Sequence, residues 1–239
     1  MRNTYDLSGK FAIVTGAARG IGRAVAEVLI SNGCQVVIWD AKKADVPSAS
    51  SILVDITQPS QIAVAIAALG DQRVDILVNN AGYIGQAVDF VGQSQSEWQR
   101  ILQVNLLGTM QVTQAILPIM IRKRAGRIIN FGSLAGKEGL AGISAYSAAS
   151  AGVISFTKAL SREVARHEVF VNCVAPGPID TDMIRDLGTD LVNQMMTDSP
   201  MSRLGQPHEV AELVAWLCTD ASRFNTGAVF DMSGGRARY

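Results

Sequence analysis

Short apolar runs alternate with segments of helical periodicity along the chain, and this alternation restricts the fold more than any other feature. The strand-like runs are Phe11–Thr15, Gln35–Trp39, Ser51–Val54, Asp75–Asn79, Arg127–Phe131, Val169–Val174 and Ala228–Asp231. The helical patterns are Ile21–Ser31, Pro59–Leu69, Glu97–Ile121, Ala145–Arg166 and Pro207–Thr219. Several runs are apolar on both faces, as is typical of a parallel sheet covered by helices. We therefore predict one α/β domain over residues 1–239, with a doubly wound seven-stranded parallel sheet and helices on both faces.

The stretch Ala175–Met201 is the longest insertion that follows a strand, and its Pro, Gly, Asp and Met content predicts irregular structure. Ligands of doubly wound sheets bind beyond the carboxyl ends of the strands. Residues 177–201 are therefore predicted to form a lid over the substrate.

Charge and cysteine content exclude several functional classes. Lys and Arg number 21, as do Asp and Glu, so electrostatics favour neither nucleic acid nor an anionic membrane as a partner. No apolar run approaches the roughly 18–20 residues of a membrane span. Cys34, Cys173 and Cys218 lie in apolar contexts, which predicts free buried thiols and a cytoplasmic protein. His167 and His208 stand outside every motif, so we expect no metal site.

A glycine-rich loop, Thr15-Gly16-Ala17-Ala18-Arg19-Gly20-Ile21-Gly22, joins the first strand to the first helix. In this context Gly16 permits a tight turn, Gly20 lets the backbone approach a pyrophosphate, and Gly22 allows close packing of helix on strand. The N-terminus of the helix adds unpaired N–H groups and partial positive charge. The loop therefore predicts a dinucleotide site, the alternative being a tight turn that binds nothing.

Asp40 ends the second strand, where a carboxylate accepts hydrogen bonds from the ribose of the adenosine half of a dinucleotide. It would repel a 2′-phosphate, by about 4 kcal/mol per charge pair at about 4 Å and an effective dielectric of about 20. Ala41 adds no cation, whereas Arg19 and Lys42-Lys43 offer positive charge nearby. The balance predicts NAD(H) rather than NADP(H).

Together with further motifs, these residues resemble the short-chain dehydrogenase/reductase family along nearly the whole chain. The resemblance rests on the loop at 15–22, Asp55 after the third strand, Asn79-Asn80-Ala81-Gly82 after the fourth, Asn105, Ser133, Tyr146 and Pro176-Gly177 after the sixth. It implies a single-domain Rossmann fold and hydride transfer between a nicotinamide and a secondary alcohol or ketone. It also implies a homotetramer assembled through the two longest helices.

The resemblance assigns roles to individual residues. Ser133 would hold the substrate oxygen, Tyr146 would donate or accept the proton, and Asn105 would hold a water in the proton relay. The cofactor contacts that it implies are Gly16, Arg19, Gly20, Ile21, Gly22, Asp40, Asp55, Ile56, Asn79, Ala81, Gly82, Tyr146, Pro176, Gly177 and Ile179.

One position departs from the family pattern. The family has Lys four residues after the tyrosine, one helical turn along the same face, and this chain has Ser150. The resemblance implies that this lysine also holds the nicotinamide ribose. A phenol has an ordinary pKa of about 10, and a nearby ammonium group favours the phenolate form. Lys158 lies about 18 Å from Tyr146 along the predicted helix. Neither Lys158 nor Lys137 is therefore a convincing substitute for the missing lysine.

Three interpretations of Ser150 remain open. The chain is an engineered Lys→Ser variant of a normal enzyme, a natural enzyme with a weakened or rerouted proton step, or a cofactor-binding protein that has left catalysis. We favour the first interpretation because the other motifs are intact, and we expect low activity.

The substrate pocket is expected between Tyr83–Phe90, Leu134–Ile143 and Ile179–Met201. Within these segments Lys137 or Arg185 is a candidate for binding a carboxylate. A sugar, polyol or sugar acid is the predicted small-molecule substrate, with a 3-oxoacyl thioester as the alternative.

Overall fold

All seven predicted strands form and pair in parallel within one sheet. The computed structural model describes residues 5–70 and 72–239, and it orders the strands β3-β2-β1-β4-β5-β6-β7. Their bounds are β1 Phe11–Thr15, β2 Gln35–Asp40, β3 Ser50–Leu53, β4 Ile76–Asn79, β5 Gly126–Phe131, β6 Val169–Pro176 and β7 Val229–Met232. The chain builds outward from β1 to one edge and then returns to place β4 on the other side of β1. This switch in direction opens a crevice at the carboxyl ends of the strands.

Helices cover both faces of the sheet, because alternate strand residues point in opposite directions. Their bounds are α1 Gly20–Ser31, α2 Pro59–Leu69, α3 Gln95–Leu102, α4 Thr109–Lys123, α5 Leu134–Glu138, α6 Ser144–Val164, α7 Asp182–Arg185, α8 Thr189–Thr197 and α9 Pro207–Leu217. In β1, Ala12 and Val14 belong to the core cluster that includes α1 and α9. Ile13, between them, belongs to the opposite cluster with α2, α4 and α6. This is the two-sided apolar pattern that predicted a parallel sheet.

The helix predicted over Glu97–Ile121 is interrupted. A π-helical segment, Gln103–Gly108, separates α3 from α4. By length and composition the joined segment Gln95–Lys123 is apolar enough to cross a membrane, with a mean hydropathy of 1.4. Its residues Val112, Ile116 and Met120 are fully buried against the sheet, as in a core helix of a folded domain.

The prediction of irregular structure over Ala175–Met201 is wrong in part. Strand β6 extends to Pro176, and the segment that follows contains α7 and α8. The prediction missed both helices because they are short, at four and nine residues, and because Pro and Gly residues flank them.

Candidate active site

The six segments that follow β1 to β6 enclose a cleft of about 1350 Å³ at the carboxyl ends of the strands. Most of the predicted site residues line it. These are Gly16, Arg19, Gly20, Ile21, Asp40, Asp55, Ile56, Ala81, Gly82, Asn105, Ser133, Tyr146, Pro176, Gly177 and Ile179. Gly22, Asn79 and Ser150 are the predicted residues that do not line it. The cleft is thus built from residues far apart in sequence that the strand ends bring together.

The glycine-rich loop adopts the shape that an anion site requires. Gly16 has a φ of +66°, and a Cβ there would lie 2.5 Å from the Cα of Ala81, so only glycine fits. Arg19 precedes α1 in an extended conformation, and no side chain caps the helix. The first N–H groups of α1 therefore remain available to an anion at this end of the cleft.

Gly22 contributes beneath the loop instead of in the cleft. A Cβ at this position would collide with the side-chain amide of Asn80 and with the carbonyl oxygen of Gly16. Sequence reasoning gave Asn80 no role of its own, yet its Nδ2 donates hydrogen bonds to the carbonyls of Thr15 (3.2 Å) and Gly16 (2.8 Å). Its place in the Asn-Asn-Ala-Gly run was the available signal. Asn80 fixes the loop, and Gly22 leaves the space for it.

Asp40 lies at the end of β2 beside the same loop. Its Oδ2 accepts a hydrogen bond from the backbone N–H of Ala18 at 2.9 Å, and its Oδ1 accepts one from Lys42 N–H at 2.9 Å. These bonds hold the carboxylate at the edge of the cleft. Lys42 and Lys43 line the cleft beside it, so a cationic and an anionic element meet at this end.

Asp55 and Ile56 follow β3 and form the adjoining wall. The Asp55 carboxylate accepts hydrogen bonds from the backbone and hydroxyl of Thr57, at 2.9 and 2.7 Å. Ile56 is 6% exposed and packs against Gly108, so the wall is apolar next to a fixed carboxylate.

Asn79 is inside the protein and not in the cleft. Its side chain is 2% exposed, and its Nδ2 donates to Thr113 Oγ1 and Asn130 Oδ1, both at 2.9 Å. Asn130 in turn donates to Thr157 on α6. This network ties β4 and β5 to α4 and α6. Strand alternation turns the Asn79 side chain into the helix layer and away from the cleft, and the predicted role of Asn79 in cofactor binding stays a prediction.

The π-helical segment positions Asn105. Its Nδ2 donates to the carbonyl oxygens of Ile101 (2.8 Å) and Tyr83 (2.7 Å), while its Oδ1 accepts from Tyr83 N–H (3.1 Å). The wider turn frees the Ile101 carbonyl for this contact. One Nδ2 hydrogen bond and the Oδ1 atom thus hold the loop that carries Tyr83, and the second Nδ2 hydrogen bond ties the side chain to its own helix.

Ser133 and Tyr146 face each other across the cleft floor. Ser133 caps α5, where its Oγ accepts from Ala135 N–H at 3.1 Å and keeps its own O–H to donate. Burial raises the pKa of Tyr146 above its ordinary value, and the hydroxyls of Ser133 and Ser150 act in the opposite direction without outweighing burial. No cation in the described part of the chain contributes to the pKa of Tyr146. The phenol of Tyr146 therefore keeps its proton more readily than an ordinary phenol.

Ser150 lies one turn after Tyr146 on α6 and is 3% exposed. Its backbone and Cβ pack so closely on Gly136 of α5 that a Cβ on Gly136 would lie 2.7 Å from that of Ser150. The hydroxyl group that Ser150 places beside the Tyr146 phenol is neutral. Ser150 is thus buried next to the phenol without the charge that a lysine would supply.

The two cations proposed for substrate recognition are engaged elsewhere. Lys137 Nζ lies 2.9 Å from Asp231 Oδ2, and Arg185 forms hydrogen bonds of 2.7 and 2.9 Å with Asp180. Neither residue lines the cleft. Arg236, which sequence reasoning did not select, lines it together with Tyr146 and the lid residue Met195. Its neighbours in sequence, a glycine pair and alternating basic residues, gave no distinctive signal.

Across residues 5–70 and 72–239, no group of three or more His, Cys, Asp or Glu side chains is placed to hold a metal ion.

Comparison with known proteins gives concordant matches. Residues 16–237 match the family model described as enoyl-(acyl carrier protein) reductase. The chain is 40% identical over 240 residues to the 3-oxoacyl-[acyl-carrier-protein] reductase of Vibrio cholerae, covering 96% of this chain and 98% of that one. It is 36% identical over 243 residues to a 2-dehydro-3-deoxy-L-rhamnonate dehydrogenase (NAD(+)) of Sphingomonas, covering 97% of each.

Among solved structures, the ligand-free aldohexose dehydrogenase of Thermoplasma acidophilum superposes with a TM-score of 0.92. It is 31% identical, and the match covers 99% of this chain and 97% of that one. The Rossmann architecture and the positions of the strand ends are therefore shared with a dehydrogenase.

Proposed function

As a member of the short-chain dehydrogenase/reductase family this chain is an oxidoreductase, and we propose that it uses NAD(H) to interconvert a secondary alcohol and its ketone in a sugar, polyol or sugar acid. We further propose that its proton-transfer step is slow, because Ser150 replaces the lysine. The observation that carries the proposal is the continuity of one cleft, which joins the uncapped N-terminus of α1, Asp40 and the Ser133–Tyr146 pair.

The residues present fit a nicotinamide dinucleotide. The first N–H groups of α1 and the open backbone at Gly20 suit a pyrophosphate, and Asp40 suits an unphosphorylated ribose. Asp55 and Ile56 suit the adenine end of the same molecule. When bound, the nicotinamide supplies the hydride acceptor or donor.

The chain's own contribution is to hold the substrate and move one proton. Ser133 O–H is available to donate to the substrate oxygen, and Tyr146 O–H is the proton donor for reduction. For oxidation Tyr146 must first lose its proton, which its buried, cation-free surroundings oppose. The two directions therefore depend on pH in different ways.

The substrate class is supported by two relatives. The Sphingomonas protein is a dehydrogenase of a sugar acid by name, and the Thermoplasma protein is an aldohexose dehydrogenase. The cleft combines the apolar side chains of Leu140, Ile143, Met183 and Ile184 with the guanidinium of Arg236. A partly deoxygenated acid suits such a lining.

A 3-oxoacyl thioester is the second candidate substrate. The observation in its favour is the 40% identity to the Vibrio reductase, and an apolar lining also accepts an acyl chain. A third possibility is a protein that binds the cofactor without catalysis.

We also propose a cytoplasmic homotetramer. The three free cysteines are buried, which suits a reducing compartment. The helices expected at the tetramer interface include the region of Leu107 and Met110, which are 42% and 38% exposed in the single chain.

The test is a turnover screen of the unmodified chain and its Ser150→Lys variant, each with NAD and NADP. Polyols, sugars, aldonates and acetoacetyl-coenzyme A serve as substrates, and the absorbance of the reduced nicotinamide is the readout. We expect turnover of a polar alcohol or acid with NAD. Turnover of the thioester alone supports the second candidate, and cofactor binding without turnover by either protein supports the third.

A further inference from the structure

The segment after β7 folds back over the lid of its own chain. Gly234 and Gly235 have φ values of +67° and +88°, and they turn the backbone against Ser199 and Pro200 at the end of the lid. The turn is fixed by Ser233, whose Oγ donates to Asp231 at 2.6 Å and accepts from Ala237 N–H at 3.0 Å. Arg236 lies within this fixed turn.

Two further contacts anchor the residues that follow. The backbone N–H of Arg238 donates to Glu138 Oε1 at 2.8 Å, and the ring of Tyr239 lies 5.5 Å from Lys137 Nζ. Contacts on both sides of Arg236 therefore hold its backbone against the lid and α5. Such a side chain is pre-organised, which lowers the entropic cost of binding a ligand.

The guanidinium of Arg236 is largely buried but only partly used. Its side chain is 19% exposed, and its one ion pair joins Nη2 to Asp198 Oδ2 at 3.2 Å. Asp198 is itself held by Gln194, whose Nε2 donates to the other carboxylate oxygen at 2.7 Å. Within the described residues no acceptor is hydrogen-bonded to Nε or Nη1. Asp198 thus orients one edge of the guanidinium and leaves other donors for a ligand.

The position of Arg236 in the cleft restricts what that ligand is. It lines the same cleft as Tyr146, together with Met195 of α8 and the apolar residues Met183 and Ile184. A substrate whose reacting oxygen lies at Tyr146 would meet Arg236 with another of its polar groups. Planar N–H donors in a fork match a carboxylate with two hydrogen bonds.

We propose that Arg236 binds a carboxylate group of the substrate, so that the enzyme selects sugar acids over neutral sugars and polyols. This inference rests on the proposed function of the cleft. It moves acid recognition from Lys137 and Arg185, which are paired outside the cleft, to a residue beyond the last strand.

The experiment measures ternary binding by calorimetry on the full chain saturated with NAD, so that slow turnover does not affect the result. The probes are gluconate and galactonate, with sorbitol and galactitol as their neutral counterparts. We expect the unmodified chain to bind at least one aldonate more tightly than the corresponding polyol, by a factor of about ten or more. Arg236→Gln should remove that preference, because a hydrogen-bonded ion pair of this kind contributes roughly tenfold or more in affinity.

Arg238→Gln is the matched control, since Arg238 is an exposed arginine in the same segment that uses only its backbone N–H. It should leave every affinity unchanged. Arg236→Lys keeps the charge without the fork, and it should give an intermediate affinity for the aldonate. Unchanged NAD affinity in each variant shows that the fold is intact, and Arg236→Lys replaces Arg236→Gln if the latter fails that criterion.

The outcomes separate this proposal from the proposed function. If the Arg236→Gln variant binds aldonates as tightly as the unmodified chain does, or if polyols bind as tightly as aldonates, Arg236 is not the acid-binding residue. The proposed activity on sugars and polyols then stands. If neither aldonates nor polyols bind while acetoacetyl-coenzyme A is turned over, both proposals are overturned.

Discussion

The two halves of the cleft are built in different ways. The half that suits the dinucleotide relies on backbone N–H groups, glycines and several short hydrogen bonds around Asp40 and Asn80. The half proposed to move the proton relies on one phenol, and no charged group among the residues that the structure describes lowers its pKa. Binding through the backbone is shared among many residues, whereas acid–base chemistry depends on one ionisable pair. A single replacement can therefore slow the chemistry and leave binding intact.

The largest expected effect comes from restoring the charge. Ser150→Lys should raise turnover by about 10²–10⁴-fold, the usual scale of general acid–base assistance, or about 2.7–5.4 kcal/mol of barrier. NAD affinity should improve only modestly, because the contacts expected from the glycine-rich loop and from Asp40 do not involve position 150. Steady-state turnover and cofactor titration on the same preparations measure the two quantities.

Two controls show whether the new charge acts through the phenol. Ala148→Lys adds a lysine at an exposed position of the same helix and should change nothing. Tyr146→Phe combined with Ser150→Lys should abolish the gain. If Ser150→Lys leaves turnover unchanged on a substrate that the chain already uses, Ser150 belongs to a rerouted relay or Tyr146 is not the base.

A smaller effect is expected at the other end of the cleft. Asp40→Asn removes a charge but keeps one acceptor for the Ala18 or Lys42 N–H. Screening reduces the unscreened repulsion of about 4 kcal/mol, so the ratio of NADP to NAD affinity should rise by about 10–100-fold. Titration with both cofactors measures it. Asp45→Asn is the control, because Asp45 is an exposed carboxylate in the same loop. If the unmodified chain already binds NADP as tightly as NAD, the proposed preference for NAD is contradicted.

Asn79 and Asn80 allow a comparison within two adjacent residues. Asn79→Ala leaves the acceptors on Thr113 and Asn130 unpaired inside the protein, and should lower the free energy of unfolding by about 1–3 kcal/mol with NAD affinity nearly unchanged. Asn80→Ala releases the glycine-rich loop and should weaken NAD binding more than it lowers stability. Denaturant unfolding and cofactor titration measure both quantities, and equal effects of the two variants would contradict the separation.

The seven strands and their parallel, doubly wound arrangement were predictable, because parallel sheets need apolar runs and crossover helices that a local pattern records. The glycine-rich loop was predictable for the same reason, since its neighbours in space are also neighbours in sequence. The direction of the Asn79 side chain required the register of β4, and the disruption at Gln103–Gly108 required the contact between Asn105 and Ile101. Arg236 was missed because its partner Asp198 is brought to it by the fold of the lid.

The last expected effect is a difference in pH dependence between the two directions of reaction. Because burial raises the pKa of Tyr146 and the protonated phenol is the donor, reduction should be insensitive to pH from neutrality up to that raised pKa. Oxidation needs the phenolate, so its rate should rise about tenfold per pH unit over the same range. Initial rates in both directions, with the cofactor saturating at every pH, measure the two profiles.

Ser150→Lys should move the break in the oxidation profile to lower pH, because an ammonium group favours the phenolate. Its advantage over the unmodified chain should therefore be largest near neutrality and shrink as the pH approaches the raised pKa of Tyr146, where the phenol ionises unaided. Some advantage should persist there, since the family resemblance also assigns that lysine a contact with the nicotinamide ribose. An advantage that is constant with pH would mean that the lysine acts by holding the ribose alone, and the contrast between the two halves of the cleft would then rest on binding instead of charge.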